Sequence, residues 1–124
     1  MALDYVPEMT GSLGVTDMER SIRWYQKVLG FKLLYRADDI GWCELSTDVP
    51  GVNIGLSQNE TVPHGGGATN VWGVTDINAA KAHLDEHQVR QDSDIQHIPG
   101  LVKLITFYDP DGNAMMLSEN LGQP

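Results

Sequence analysis

The sequence predicts an α+β fold of two tandem β-α-β-β-β modules forming a curved mixed sheet or half-barrel. Three observations carry the prediction: a tetrapeptide that occurs twice, an amphipathic helical segment after each copy, and a similar strand closing each half. Gly14, Val15, Thr16 and Asp17 recur as Gly73, Val74, Thr75 and Asp76. Each copy ends a strand-like run and opens a helical pattern, with its aspartate placed to accept hydrogen bonds from the first helical amides. Met18, Ile22, Tyr25 and Leu29 fall on one helical face in the first copy, as do Ile77, Ala80 and Leu84 in the second. Gly30 is positioned to stop the first helix.

The halves also end alike, because Gly51 to Ser57 (GVNIGLS) aligns with Gly112 to Ser118 (GNAMMLS). Between helix and closing strand each half has room for two more strands. These are expected at Phe31 to Arg36 and Gly41 to Ser46 in the first half, and at Val89 to Asp92 and Leu101 to Tyr108 in the second. Asp109, Pro110, Asp111 and Gly112 form a type I turn sequence. Thr61 to Ala68, with Pro63 and three consecutive glycines, reads as a connection. The modules are thus expected at about 9–57 and 69–119, with a linker at about 58–68, in one domain covering 1–124.

Composition narrows the function classes. A chain of 124 residues buries roughly two-thirds of its unfolded surface, enough for a real core but not for a second independent domain. With 41% hydrophobic and 20% charged residues, it has the make-up of an ordinary globular protein rather than a disordered one. No apolar run approaches the roughly 18 residues of a membrane span, and the first residues lack the basic and apolar regions of a signal peptide. A cytoplasmic location is expected. Cys43 is the only cysteine, which excludes an intrachain disulfide, and a small core residue is expected there rather than a nucleophile. A formal charge of -9 repels phosphate backbones and anionic lipid, so neither nucleic acid nor a membrane is an expected partner.

Strand alternation sorts side chains between two faces. Leu13 and Val15, Ile54 and Leu56, and Met115 and Leu117 are expected on the core side, with Cys43 and Leu45. Trp42, Glu44, Asn53, Ser57, Thr106 and Tyr108 then belong to mixed faces lining a trough shared by the modules, where small ligands are held. An indole face beside a carboxylate suits an aromatic or cationic organic ligand. Trp24 and Trp72 fall on the helix side. The glycines at 65–67 neither follow a strand nor open a helix, so a phosphate loop is rejected.

Taken together, Val15 to Leu33 (VTDMERSIRWYQKVLGFKL), Val74 to Leu84 (VTDINAAKAHL) and the turn and strand from Asp109 to Leu117 resemble the vicinal oxygen chelate superfamily. That superfamily includes glyoxalase I, extradiol dioxygenases, fosfomycin-resistance transferases, methylmalonyl-CoA epimerase and bleomycin-resistance proteins. The resemblance covers about residues 9–119 and implies the glyoxalase/bleomycin-resistance fold and a homodimer. It also implies a divalent cation held by four strand positions, which fall here on Thr10, Gly55, Thr69 and Met116. None of these carries the imidazole or carboxylate donors such a cation needs, and Thr106 stands where extradiol dioxygenases have a tyrosine.

Because all four positions depart from the family's pattern, no resident metal and no cofactor are expected. Thr10, Thr69 and Met116 join Trp42, Glu44, Asn53, Ser57, Thr106 and Tyr108 as expected ligand-binding residues. The expected function is binding of a hydrophobic or aromatic small molecule, as in the bleomycin-resistance branch, with no catalytic residue assigned. The alternative is a lyase, isomerase or dioxygenase of the superfamily using atypical ligands such as His64, His97 or Glu44. His83 and His87, at i and i+4 on the second helix, have a zinc-compatible spacing but are expected as surface residues. His64 is placed beside the glycine linker and His97 in the loop before Pro99.

Overall fold

A computed structural model of the chain describes residues 4–63 and 68–122. His64 and the glycines at 65–67 lie outside the described residues. The chain divides into two units, Met1–Pro63 and His64–Pro124. The first contains β1 (Met9–Val15), α1 (Met18–Trp24), β2 (Lys32–Ala37), β3 (Trp42–Ser46) and β4 (Val52–Gln58). The second contains β5 (Asn70–Gly73), α2 (Ile77–Glu86), β6 (Gln91–Ile98), β7 (Val102–Tyr108) and β8 (Ala114–Asn120). Each builds a four-stranded mixed sheet of the same topology, ordered β1-β4-β3-β2 and β5-β8-β7-β6. The first strand pairs parallel with the last, and the remaining pairs are antiparallel. The expected α+β architecture of two β-α-β-β-β units is the one observed.

The repeated tetrapeptide acts alike in both units. Asp17 accepts from the Arg20 amide at 3.1 Å and Asp76 from the Ala79 amide at 3.1 Å, each capping its helix. The next open amide is also met in parallel fashion. Gln58 Oε1, at the end of β4, accepts from Met18 N–H, and Glu119 Oε1, late in β8, accepts from Ile77 N–H. Closing strand and helix start are thereby tied together in each unit.

Helix α1 continues into a wider π-type turn over Tyr25–Leu29 before Gly30 ends it at φ 75°. Bonds from Gly30 N–H to Gln26 O and from Phe31 N–H to Tyr25 O close this end, in a left-handed conformation that glycine adopts without side-chain strain. The extra residue in the wide turn rotates the helical face. Val28 is buried in consequence, whereas Leu29, expected from a regular helical period, is only half-buried.

The core side of each sheet follows strand alternation. Val15, Cys43, Leu45, Ile54 and Leu56 are buried with Met18, Ile22 and Tyr25 in the first unit. Ile105, Phe107, Met115 and Leu117 are buried with Ile77 and Leu84 in the second. Each fully buried Leu, Ile or Phe side chain contributes about 1.5–3 kcal/mol relative to exposure. Desolvation raises the pKa of the Cys43 thiol above its ordinary value, in keeping with a core rather than a nucleophilic residue. Trp24 is half-buried, and the half-buried Trp72 stands opposite Leu117 on the core-facing side. None of the described helices is long and apolar enough to cross a membrane.

One strand departs from expectation. β6 runs to Ile98 rather than stopping at Asp92, and His97 lies within it, paired with Lys103, not in a loop. Its sequence, QDSDIQHI, is polar because it is the edge strand of its sheet. A register shift between Asp92 and Gln96, where Ser93 takes φ 47°, breaks its alternation further. An edge strand with a bulge has little period for a sequence reading to detect.

The expected turn forms at Asp109, where Gly112 N–H reaches Asp109 O at 2.9 Å. The buried Asp109 side chain accepts from the Asp111 and Asn113 amides, each at 2.9 Å, and from Asn113 Nδ2 at 2.8 Å. Asp109→Ala strands these donors at a half-buried turn and is expected to cost about 1–3 kcal/mol. The exposed cap variant Asp76→Ala should cost about 1 kcal/mol. Urea denaturation checks the ranking, and a larger loss for Asp76→Ala would contradict it.

Candidate functional site

The face of the first sheet opposite its core carries a connected polar group. Alternation places Trp42 and Glu44 on this face of β3, because Cys43 and Leu45 between and beyond them are fully buried. Pairing with β4 sets Trp42 opposite Ser57 and Glu44 opposite Gly55, while Asn53 of β4 stands opposite Thr10 of β1. Thr10, Trp42, Glu44, Asn53 and Ser57 therefore share one surface of one sheet.

Glu44 is the hub of this surface. Its Oε2 accepts from Asn53 Nδ2 at 2.8 Å and, more weakly, from Thr10 Oγ1 at 3.4 Å. Its Oε1 accepts from the Tyr35 hydroxyl at 3.0 Å, and the Tyr35 oxygen in turn accepts from Trp42 Nε1 at 3.0 Å. Indole, phenol and carboxylate thus form one directed chain. A carboxylate has about four acceptor positions, so three protein donors leave room for a donor from a ligand.

Tyr35 is the member that sequence reasoning missed. It lies on β2 opposite Glu44, but a register shift between Leu33 and Tyr35 breaks the strand's alternation. The run KLLYRA consequently has no period that assigns Tyr35 to a face. The available signal was chemical: a tyrosine on the neighbouring strand, within reach of a half-buried carboxylate that needs donors.

Gly55 explains the placement of the indole. A Cβ on residue 55 would fall 1.9 Å from one Trp42 ring carbon and 2.3 Å from another, far inside van der Waals contact. The indole thus lies across bare backbone, in the space a side chain at position 55 would need. That position is one of the four that the family resemblance assigns to cation donors. Glycine supplies no donor, and Thr10 Oγ1 is directed to Glu44. With a thioether at Met116 and an exposed hydroxyl at Thr69, the four residues do not fit a divalent cation.

The second sheet gathers another set. Thr106 stands opposite both Met116 and Asp92, and Tyr108 opposite Ala114. The Tyr108 hydroxyl donates to Asp92 Oδ2 at 2.6 Å, and the Arg90 guanidinium lies 4.1 Å from the Tyr108 ring centroid, a cation-π contact. The hydrogen bond to Asp92 is the main cause of a raised Tyr108 pKa, which Arg90 partly offsets. Thr69 is exposed and precedes β5.

The comparisons with known proteins agree with this architecture. The model of the Glyoxalase/Bleomycin resistance protein/Dioxygenase superfamily matches residues 6–117, and the chain belongs to that superfamily. Among solved structures it is similar to TnmS3, an antibiotic binding protein from a Streptomyces species, with 26% identity, 97% of this chain and 98% of that chain covered, and a TM-score of 0.76. It also shares its fold with a superfamily member from Sphaerobacter thermophilus, with 22% identity, 97% and 100% coverage and a TM-score of 0.79. FosX, a fosfomycin resistance protein from Listeria monocytogenes, shares the fold with 14% identity, 93% and 90% coverage and a TM-score of 0.77. No curated protein matches the chain.

Two outcomes follow from the geometry. Gly55→Ala should displace the Trp42 ring and destabilise the protein by about 1–3 kcal/mol, read by tryptophan fluorescence and urea denaturation. An unchanged emission spectrum together with unchanged stability would refute the contact. Asp92→Asn removes the charge that favours the neutral phenol, so the Tyr108 pKa should fall. Spectrophotometric tyrosine titration of the two proteins checks the direction, and an unchanged or raised value would contradict it.

Proposed function

We propose that the protein binds a planar, cationic or aromatic small molecule without a resident metal, through Trp42, Glu44, Asn53, Ser57 and Thr10 on the first sheet. The single observation that carries this reading is the indole of Trp42 lying across Gly55 and hydrogen-bonded through Tyr35 to Glu44. A ring fixed in this way offers a flat apolar face with little conformational entropy left to lose on binding. The adjoining carboxylate attracts a cation or accepts from a ligand donor. Capture by stacking and charge needs no Lewis acid, in line with the poor donor chemistry of Thr10, Gly55, Thr69 and Met116. The similarity to an antibiotic binding protein supports the same reading. Thr106, Tyr108, Met116 and Thr69 are proposed as ligand-binding residues of the second unit, and a homodimer as the working assembly.

Isothermal titration with a planar cationic aromatic dye, with EDTA present, tests the proposal, and light scattering on the same samples reads the assembly. Saturable binding is expected at twice the monomer mass. Trp42→Ala should weaken it by about 1–2 kcal/mol, roughly 5- to 30-fold. Affinity unchanged by that substitution would remove Trp42 from the site. Binding abolished by the chelator would overturn the metal-independent reading.

A further inference from the structure

The end of α2 carries a second group of side chains with ligand chemistry, separate from the face around Glu44. His83, Glu86 and His87 each offer one donor atom, and the three atoms lie within 4.8 Å of one another. Their spacing of i, i+3 and i+4 brings them together over a single helical turn. The two imidazole rings are 4.4 Å apart between centroids.

Three further features favour a cation here. First, His87 Nδ1 lies 3.0 Å from the His83 carbonyl oxygen. A carbonyl only accepts, so in this contact Nδ1 carries the proton and the lone pair of the neutral ring is on Nε2. Metal-bound imidazoles use the same arrangement, with one nitrogen anchored to a carbonyl and the other on the metal. Second, the group sits where α2 ends, at Glu86 and the capping residue His87. The last carbonyls of a helix carry partial negative charge and favour a cation. Third, Lys81, the only lysine of the helix, is held at 3.2 Å by Asp85 on the far side and does not compete for the space.

We propose that His83, Glu86 and His87 form a surface site for a borderline divalent metal of the zinc, nickel or copper type, with water completing the coordination. Two imidazoles and a carboxylate suit these ions, whereas magnesium and calcium prefer all-oxygen shells. Metal–nitrogen bonds of about 2.0–2.1 Å place tetrahedral donors roughly 3.3 Å apart. The side chains therefore close from their present spacing by rotation, which the exposure of His83 and Glu86 permits. Once bound, the ion staples the last turn of α2. The site is independent of ligand capture at Trp42, which is expected to persist in EDTA.

The test uses full-length protein, stripped of metal and freed of any purification tag, titrated with Zn2+ against a chromophoric chelator. One Zn2+ per chain is expected. The double variant His83→Ala/His87→Ala should lose at least about tenfold in affinity. His97→Ala should keep the wild-type affinity, and Glu86→Gln should fall between. Zn2+ should also raise the Tm of the wild type but not of the double variant. Circular dichroism confirms that the variants are folded, and Glu86→Gln alone suffices if the double variant is not. Wild-type affinity retained by the double variant or by Glu86→Gln, or no stoichiometric Zn2+ in the wild type, would overturn the proposal.

Discussion

The contact between the Trp42 ring and the bare backbone at Gly55 governs what the first sheet presents on its open side. Because residue 55 has no side chain, the indole occupies the space beside its backbone, and its N–H is directed at the Tyr35 oxygen. Tyr35 then spends its own proton on Glu44, which Asn53 and Thr10 hold from the other side. A side chain at position 55 would displace the ring and with it the indole bond to Tyr35. A side chain at position 55 and an indole in that space are alternatives, and this chain has the indole.

The two units share their scaffolding and differ on their open faces. In both, an aspartate caps the helix and a side chain at the end of the closing strand receives the first helical amide. These contacts fix where the helix starts against the sheet, and they use residues within the repeated segments or directly after them. The open faces are under no such constraint. One carries an indole, a phenol and a carboxylate in series, while the other carries a phenol between a carboxylate and a guanidinium.

Much of this was legible in the sequence because it rests on local rules. The twin Gly-Val-Thr-Asp segments, strand alternation and Gly30 locate both helices, the topology and the buried faces, including the sides taken by Cys43 and Trp42. Three features were not legible, and each lies where the chain breaks a period. The wide turn after Trp24 moves burial from Leu29 to Val28. The shift in β2 hides Tyr35 from a face assignment, and the bulged polar edge of β6 hides both the strand's length and the place of His97. Period-based reasoning assumes regular geometry, and at these points the fold departs from it.

The wide turn at the end of α1 also has a bearing on the first sheet. The surplus residue is absorbed inside the helix, and the chain is then re-anchored by Gly30 and by the stacking of Tyr25 on Phe31, with ring centroids 6.0 Å apart. The backbone therefore enters β2 from a point pinned to the helix end, on the same strand that carries the phenol donating to Glu44.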